Sequence, residues 1–327
     1  MASPEEWRIP PEFQPDPSRV GYDLKSALGA VVALRAHVPP DAYTAETLGT
    51  EREGQGVVIR ADGLVLTIGY LITEAEEVWL TTNAGRVVQG HALAFDFASG
   101  FGLVQALGSL DAPVLALGDS HRLAIGADVV VAGAGGRAHS VAARVVARQE
   151  FAGYWEYLLD DAIFTAPAHP HWGGTALIGP RGDLLGIGSL QLQHQAAGGR
   201  IVPLNMIVPI DHLKPILDDL LTQGRVNRPA RPWLGFYARE DEGDQVTIIG
   251  LAGDGPARRA GLQVGDIVHA VAGEAVPSLA DLYRKVWSLG EAGVDVPLTL
   301  EREGDRFDVT VRSGDRSDFM KRGRRLH

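Results

Sequence analysis

Apolar residues in the first two thirds of the chain come in short β-type runs separated by turn residues, and long helical stripes are rare. The segment GVVIRADGLVLTIG joins two such runs across Ala61-Asp62-Gly63, and EEVWLTTNAGRVVQGHALAFD repeats the pattern around Asn83-Ala84-Gly85. Apolar runs joined by turns of this kind predict β-hairpins. Because few helical periods interrupt them, a sandwich or barrel is favoured over an alternating β-α-β sheet.

The first helical stripe lies in DHLKPILDDLLTQG, where the apolar residues recur at helical spacing. They are Leu213, Ile216, Leu217, Leu220 and Leu221. Asp211 suits the N-cap, and Gly224 suits the position just past the end. We therefore predict a connector helix over 211–223, followed by a polar, Arg- and Pro-rich linker at 225–231.

Beyond the linker, β-type runs and two helical patterns predict a compact α+β unit at 232–314. The runs are LGFYARE, DQVTIIGL, DIVHAVAG, VPLTLERE and RFDVTVRS, and the helices lie in GPARRAG and SLADLYRKVWSLG. Ser278 and Asp281 form a capping pattern at the start of the longer helix. Residues 315–327 are expected to be a basic tail, and residues 1–20 an extended, mobile N-terminal arm.

Composition narrows the possible functions. A net charge of −11 argues against nucleic-acid binding, and the absence of Cys excludes disulfides and thiol chemistry. No apolar run approaches the ~20 residues that span a bilayer, so no membrane partner is expected. The N-terminal segment lacks the features of a secretory signal, which predicts a cytoplasmic protein, or a periplasmic one if a signal has been removed.

The C-terminal unit resembles a PDZ domain of the kind appended to HtrA-family serine proteases. RPWLGF stands where the carboxylate-binding loop belongs, and GPARRAGLQVGDIVHAVAGEAV follows the family's motif. The backbone amides of Leu234, Gly235 and Phe236 would then bind a terminal carboxylate, and Leu282 and Val286 would line the side-chain pocket. The resemblance implies binding of peptides or protein C-termini. Alternatively, the groove is vestigial or filled from within.

The chain from about Gly54 to Gly224 resembles the protease domain of the same family, and this domain is expected to span residues 21–224. The landmarks are GQGVVIRADGLVLTIGYLI, PVLALGDSHRLAIGADVVVAG, GGTALIGPRGDLLGIG and VPIDHLKPIL. The implied fold is mainly β, a chymotrypsin-like double β-barrel followed by an α+β PDZ domain. The segment SALGAVVALRAHVPP precedes the first barrel, in the region through which family members often form trimers, so a homotrimer is possible.

The family register places Tyr70, Gly100 and Gly173 at the His, Asp and Ser positions of the catalytic triad. A tyrosine near its ordinary pKa of ~10 is a poor base at neutral pH, and glycine supplies no nucleophile. We therefore expect a catalytically inactive pseudoprotease that serves as a peptide-binding scaffold, with no cofactor and no metal. Trp172, next to Gly173, is expected to fill the vacated space.

Some residues in this region leave an active enzyme open. His169, His171 and Thr175 share the loop HPHWGGTAL, and Ser99 neighbours Gly100, so a serine-type endopeptidase with a rebuilt site is the alternative. The alternating His169 and His171 also permit a metal site, although the chain has no second His pair or H-E-x-x-H motif to complete it.

A further alternative is a dinucleotide-binding oxidoreductase. Gly133-x-Gly135-x-x-Ala138 follows an apolar strand, as in the dinucleotide fingerprint, and Glu156 lies about 20 residues further on, where a ribose-binding acid is sought. The fingerprint requires a helix directly after the glycines, and HSVAARVVARQEF has only a mixed period.

Overall fold

The protein is described by a computed structural model that covers residues 7–195, 198–241, 243 and 245–321. These residues form two compact units. The first takes the described residues up to 149 together with 161–226, and the second takes 150–160 together with 227–321. The fold is mainly β, as expected. Within the described ranges, no helix is long and apolar enough to cross a membrane.

The first unit begins with a closed β-barrel in the strand order β1-β2-β3-β6-β5-β4. Its strands are β1 Val31–His37, β2 Glu51–Val58, β3 Leu64–Ile68, β4 Glu77–Thr81, β5 Val87–Phe95 and β6 Phe101–Ala106, with the short helices α1 Leu24–Gly29 and α2 Ala45–Leu48 before and after β1. Val57 pairs with Leu66 across the predicted hairpin turn. Leu34, Leu66 and Leu103 are fully buried in this unit.

A second closed barrel follows, in the order β10-β11-β12-β9-β8-β7. Its strands are β7 Asp128–Ala132, β8 Ser140–Gly153, β9 Tyr157–Ala166, β10 Ala176–Ile178, β11 Leu184–Gln195 and β12 Ile201–Pro209. Apolar side chains of alternating strand positions, such as Val129 and Val131, form one buried cluster with Val141, Ile163 and Leu177. The β8 and β9 strands are long, and the turn between them belongs to the second unit.

The second unit contains an antiparallel sheet in the order β13-β14-β15-β17-β18, with β16 paired to β15. The elements are β13 Phe236–Asp241, β14 Gln245–Leu251, α4 Pro256–Arg259, β15 Ile267–Val271, β16 Glu274–Ala275, α5 Leu279–Ser288, β17 Asp295–Arg302 and β18 Asp305–Arg312. The predicted cap is present, because the Ser278 hydroxyl accepts the Asp281 amide at 3.0 Å. Both predicted helices of this unit are observed.

The connector helix predicted over 211–223 is shorter than expected. A 3-10 turn spans Ile210–His212, and the α-helix α3 spans only Leu217–Gln223. Asp211 does not cap it, because its carboxylate accepts the Ser120 hydroxyl at 2.6 Å instead. The end is as predicted, with Gly224 in the left-handed conformation (φ 68°).

Both chain ends contact other parts of the chain, as far as the structure describes them. Ile9 donates its amide to the Ala138 carbonyl at 2.9 Å, and its side chain joins the core of the second barrel, so residues 7–20 are not a free arm. At the other end, Phe319 packs on Trp233 with ring centroids 4.7 Å apart. Residues 322–327 of the predicted basic tail lie outside the described residues.

The glycine-rich segment after β7 does not open a nucleotide-binding helix. A 3-10 turn at Gly136–His139 leads directly into strand β8, which pairs antiparallel with β7. Because a dinucleotide fingerprint requires a helix N-terminus at this point and a parallel strand beyond it, the interpretation of Gly133, Gly135 and Ala138 as phosphate-binding residues is wrong.

Candidate functional site

The loop HPHWGGTAL is a tight turn between β9 and β10. Gly174 adopts φ +80°, and its amide donates to the Gly188 carbonyl at 2.9 Å. A Cβ on Gly174 would stand 1.8 Å from the carbonyl oxygen of Gln55, so no other residue fits without moving the backbone. The Gln55 amide also donates to the Gly173 carbonyl at 2.9 Å. The first barrel therefore holds this loop of the second barrel in place.

Tyr70 reaches this loop from the first barrel. It lies in the 3-10 turn Gly69–Leu71 that follows β3, and its hydroxyl donates to the Ser189 carbonyl at 2.9 Å. A Cβ on Gly173 would be 2.8 Å from that hydroxyl oxygen. The Tyr70 hydroxyl thus lies in the space next to Gly173, and the side chain of Trp172, which the sequence assigned to this space, forms a hydrogen bond with the same hydroxyl.

The surroundings of Tyr70 make its hydroxyl a weaker acid than in water. Burial raises its pKa well above the ordinary value of ~10, since the phenolate would lose its hydration. The hydroxyl therefore stays protonated at neutral pH and acts as a hydrogen-bond donor.

Gly100 stands at the end of the turn before β6. It adopts φ +82°, its amide donates to the Asp96 carbonyl at 2.8 Å, and its carbonyl accepts the Gly69 amide at 2.7 Å. The three positions that the sequence aligned with a catalytic triad therefore do come together: Gly100 contacts the residue before Tyr70, and Tyr70 contacts Gly173. Ser99, beside Gly100, is buried, and its amide donates to the Asp96 carboxylate.

His169 is buried, and hydrogen bonds engage both of its ring nitrogens. Nε2 donates to the His139 carbonyl at 2.9 Å, while Nδ1 accepts the His171 amide at 3.1 Å, which together define one neutral tautomer. Burial lowers its pKa to about 4. The Asn205 side chain makes two hydrogen bonds to the His169 backbone. Its Oδ1 accepts the His169 amide, and its Nδ2 donates to the His169 carbonyl. This histidine is a neutral structural element of the loop at physiological pH.

Thr175 and His171 are placed differently from a nucleophile and its base. The buried Thr175 hydroxyl donates to the Trp172 carbonyl at 2.9 Å. The ring of His171 packs against Trp7, with centroids 4.4 Å apart. Among the residues that the structure describes, no group of three or more His, Asp or Glu side chains could hold a metal ion. The alternating histidines of this loop are thus packed against aromatic and backbone groups.

In the second unit, the predicted carboxylate loop already holds a carboxylate. Glu156 accepts the Gly235 amide at 2.8 Å through Oε1 and the Leu234 amide at 3.2 Å through Oε2. Burial raises the pKa of Glu156 to about 7, although the two amides and the charge of Arg316 oppose the shift. The amides of Leu234 and Gly235 therefore point inward, as the sequence predicts for an anion site.

The backbone around Glu156 lies along β13, next to this loop. The Ala238 amide donates to the Tyr154 carbonyl at 3.0 Å. The Tyr283 hydroxyl donates to the Gly153 carbonyl at 2.8 Å and accepts the Glu156 amide at 3.2 Å. Sequence reasoning gave Glu156 the wrong role, that of a ribose-binding acid, and it missed Tyr283 as a site residue. The contacts of both join segments far apart in the chain, and no local pattern signals them.

The predicted side-chain pocket is closed. Leu282 and Val286 on α5 are buried and belong to the core cluster of this unit, rather than lining an open groove. Ala152 and Leu158 pack against the same cluster. Residues flanking Glu156 thus cover the apolar surface that the sequence assigned to a peptide side chain.

Comparison with known proteins agrees with this architecture. Residues 54–187 match the family model of the trypsin-like peptidase domain, and residues 232–312 match that of the PDZ domain. The chain is 29% identical over 280 residues to a probable periplasmic serine endoprotease DegP-like of Halomonas elongata, and 30% identical over 273 residues to that of Pseudomonas fluorescens. These matches cover 82% and 80% of this chain but 57% and 56% of the relatives, so the chain spans little more than half their length.

Solved structures with the same fold include the HtrA-type protease AlgW with a decapeptide, at TM-score 0.54 and 18% identity, covering 90% of this chain and 99% of that one. The serine endoprotease from Yersinia pestis matches at TM-score 0.50 and 20% identity, again covering 90% and 99%. At these identities the likeness establishes the fold, a pair of β-barrels followed by a PDZ domain.

Proposed function

Because the chain belongs to the HtrA family of trypsin-like proteins with a PDZ domain, we propose that it is a catalytically inactive member that binds peptides or protein C-termini. The observation that carries the proposal is the Tyr70 hydroxyl, which lies 2.8 Å from the Cβ position of Gly173. A nucleophile at position 173 would need the space that this hydroxyl fills.

The chemistry of the three aligned positions supports the proposal. Tyr70 keeps its proton because burial raises its pKa, so it cannot take one from a nucleophile at neutral pH. Gly100 and Gly173 carry no side chain. In a related class of proteases, loss of the triad lowers turnover by about 10⁶ and leaves only the weak catalysis of the oxyanion hole and of substrate binding.

The alternative is an active endopeptidase with a rebuilt site. The relatives are named as probable serine endoproteases, which is the reason to consider it. Such a site needs a hydroxyl next to a free base. The Thr175 hydroxyl is buried and donates to a backbone carbonyl. Both ring nitrogens of His169 are engaged in hydrogen bonds, and burial lowers the pKa of the ring to about 4. These contacts argue against a Thr175–His169 pair.

The activity test uses the full chain with an unfolded protein substrate and a serine-directed covalent probe. We expect neither cleavage nor labelling above the level of a blank. Variants Thr175→Ala and Ser99→Ala separate a rebuilt site from a contaminating protease, because only a rebuilt site loses its activity on substitution. Cleavage that Thr175→Ala or Ser99→Ala abolishes would refute the pseudoprotease proposal.

The binding role rests on the PDZ domain and on the inward-facing amides of Leu234 and Gly235. The solved HtrA-type structures with a tripeptide or a decapeptide are consistent with such a role. A screen of peptides with free C-terminal carboxylates tests it. We expect hits whose affinity falls when the terminal carboxylate is amidated, or when Leu234 or Phe236 is altered. Peptides whose affinity stays the same after amidation and after both substitutions would contradict carboxylate binding by this loop and leave only a scaffold role.

We propose location and assembly from the same family membership. The named relatives are periplasmic proteins, which favours the periplasmic option over the cytoplasmic one. A homotrimer stays a proposal, and the mass from analytical ultracentrifugation tests it directly.

A further inference from the structure

We infer that the turn around Glu156 is an internal ligand of the PDZ domain, whose side-chain carboxylate stands in for the terminal carboxylate of a bound peptide. An external C-terminus then binds only by displacing this turn. The inference rests on the proposed peptide-binding function and adds its regulation. Its elements all belong to the second unit, which includes residues 150–160.

The chemistry of the contact is that of carboxylate capture. The Gly235 and Leu234 amides converge on the two oxygens of Glu156. Burial raises the pKa of this carboxyl, and the two amides and the Arg316 charge act against that effect by favouring the ionised form. Gly235 itself adopts φ +74°, which lets successive amides turn toward one anion. Hydrogen bonds to an ionised group are about twice as strong as those between neutral groups.

The backbone contact has the direction of an added strand. The Tyr154 carbonyl accepts the Ala238 amide. Two residues later, the Glu156 carboxylate accepts the Gly235 amide, and Gly235 comes three residues before Ala238 in the chain. The turn segment therefore runs antiparallel to β13 with its carboxylate at the loop. A peptide that adds a strand to a sheet edge, with its C-terminus in the loop, has the same polarity.

Side-chain contacts anchor the segment on both sides of Glu156. The Tyr283 hydroxyl binds Gly153 and Glu156, and Arg284 on α5 pairs with Glu150 and Asp160 at the two ends of the segment. The apolar contacts of its flanking residues with the core cluster close the groove beneath it. The segment thus uses carboxylate, backbone and apolar contacts together, as a peptide ligand would.

The backbone of Glu156 is in an unfavourable conformation. Its φ is +58°, in the left-handed region that residues with a Cβ adopt at a cost of about 1 kcal/mol or more. Strain of this kind persists where surrounding contacts over-determine it, and it gathers at ligand clamps and switches. Glu156 therefore holds its position at a cost, which favours release when a competing carboxylate takes over the loop.

Two variants of the full chain isolate the carboxylate. Glu156→Gln keeps the size of the side chain and the backbone cost but removes the charge, and Glu77→Gln makes the same change at an exposed position in β4. We expect hydrogen exchange at the Leu234 and Gly235 amides to be at least ~10-fold faster in Glu156→Gln than in the wild type. The Glu77→Gln variant should match the wild type.

The binding probe copies the backbone that occupies the groove. It is a fluorescein-labelled synthetic peptide with the sequence of residues 149–155, QEFAGYW, ending in a free carboxylate, and its partner is the same peptide with a C-terminal amide. We expect the free acid to bind Glu156→Gln at least ~10-fold more tightly than the wild type. The amide form should bind neither protein measurably.

The outcomes separate the inference from the function on which it rests. Faster exchange in Glu156→Gln without binding of the free acid supports the internal ligand and contradicts peptide capture. Equal exchange together with equal binding to the wild type and Glu156→Gln overturns the internal ligand and leaves peptide capture standing. Equal exchange without any binding of the free acid contradicts both.

Discussion

The Tyr70 hydroxyl oxygen lies 2.8 Å from the point where a side chain on Gly173 would begin. The same hydroxyl donates to the Ser189 carbonyl, which keeps it pointing into this space. The residues at positions 70 and 173 are therefore coupled, because a side chain at position 173 fits only if the side chain at position 70 is smaller than tyrosine.

This coupling predicts the result of restoring the serine. Gly173→Ser should lower the free energy of unfolding by about 1–3 kcal/mol, the usual cost of overpacking a filled site. Adding Tyr70→His, which shortens the side chain, should cost less than the sum of the two single substitutions, and urea denaturation of all four proteins measures the difference. Additive losses would mean that the two side chains do not compete for space.

Gly174 offers a test of how tightly the loop is held. Ala at this position would place its Cβ 1.8 Å from the Gln55 carbonyl oxygen at φ +80°, whereas Gly136 has a similar φ of +75° with no atom within 4 Å of its Cβ position. Gly136→Ala should therefore show only the backbone cost of ~1 kcal/mol. We expect Gly174→Ala to lose at least ~2 kcal/mol more in thermal or urea unfolding. Equal losses would show that the loop moves away freely.

The neutral ring of His169 predicts a pH effect on stability. Its pKa is about 4 in the folded chain and ~6.5 in the unfolded chain, so between these values the unfolded state binds more protons. His169 should therefore contribute a loss of stability of about 3 kcal/mol as the pH drops from 6.5 to 4, at ~1.4 kcal/mol per unit of pKa shift. Glu156, whose pKa of about 7 lies above that of an unfolded glutamate, contributes in the opposite direction over part of the same range.

Melting temperatures measured between pH 7 and pH 4 test this effect. His169→Gln should lose less stability, or gain more, than the wild type as the pH falls through that window, although the variant is less stable overall because its hydrogen bonds change. His91→Gln, on strand β5, serves as the control and should keep the wild-type slope. A pH dependence in His169→Gln equal to that of the wild type would show that His169 does not contribute to it.

Tyr283 predicts how firmly the Glu156 turn is held. Tyr283→Phe removes the hydroxyl that binds both Gly153 and Glu156, leaving a buried carbonyl without that donor. We expect a loss of about 1–2 kcal/mol in the free energy of unfolding and faster hydrogen exchange at the Glu156 amide. Tyr237→Phe changes a half-buried ring in the same unit and should have little effect. Similar results for both variants would contradict the anchoring role.

Local patterns in the sequence predicted the parts of the fold that depend on near neighbours. The Ser278 cap joins residues three apart, and Gly224 ends α3 by adopting the left-handed conformation itself. Both features therefore depend on local sequence and can be predicted from it. The start of α3 was predicted wrongly because Asp211 bonds Ser120, 91 residues earlier, rather than the helix amides. A pattern within the helix holds no information about such a partner.

At the candidate site, too, sequence reasoning succeeded in part and failed where a contact depends on distant residues. The family register placed Tyr70, Gly100 and Gly173 together, and the structure agrees that they meet. The family register did not predict the direction in which the Tyr70 side chain points, because that direction depends on packing between the two barrels. The contact between Glu156 and Gly235 joins residues 79 apart, so the carboxylate loop was predicted and its occupant was not.

The covalent attachment of the Glu156 turn has a consequence for competing ligands. A tethered group faces its site at an effective concentration that for short connections reaches the millimolar range, and dilution does not lower it. A free peptide at micromolar concentration competes against that local excess whatever the protein concentration. The partners that open this domain should therefore be those that are themselves concentrated on it, through a second contact with the same chain or through many copies of the same C-terminus.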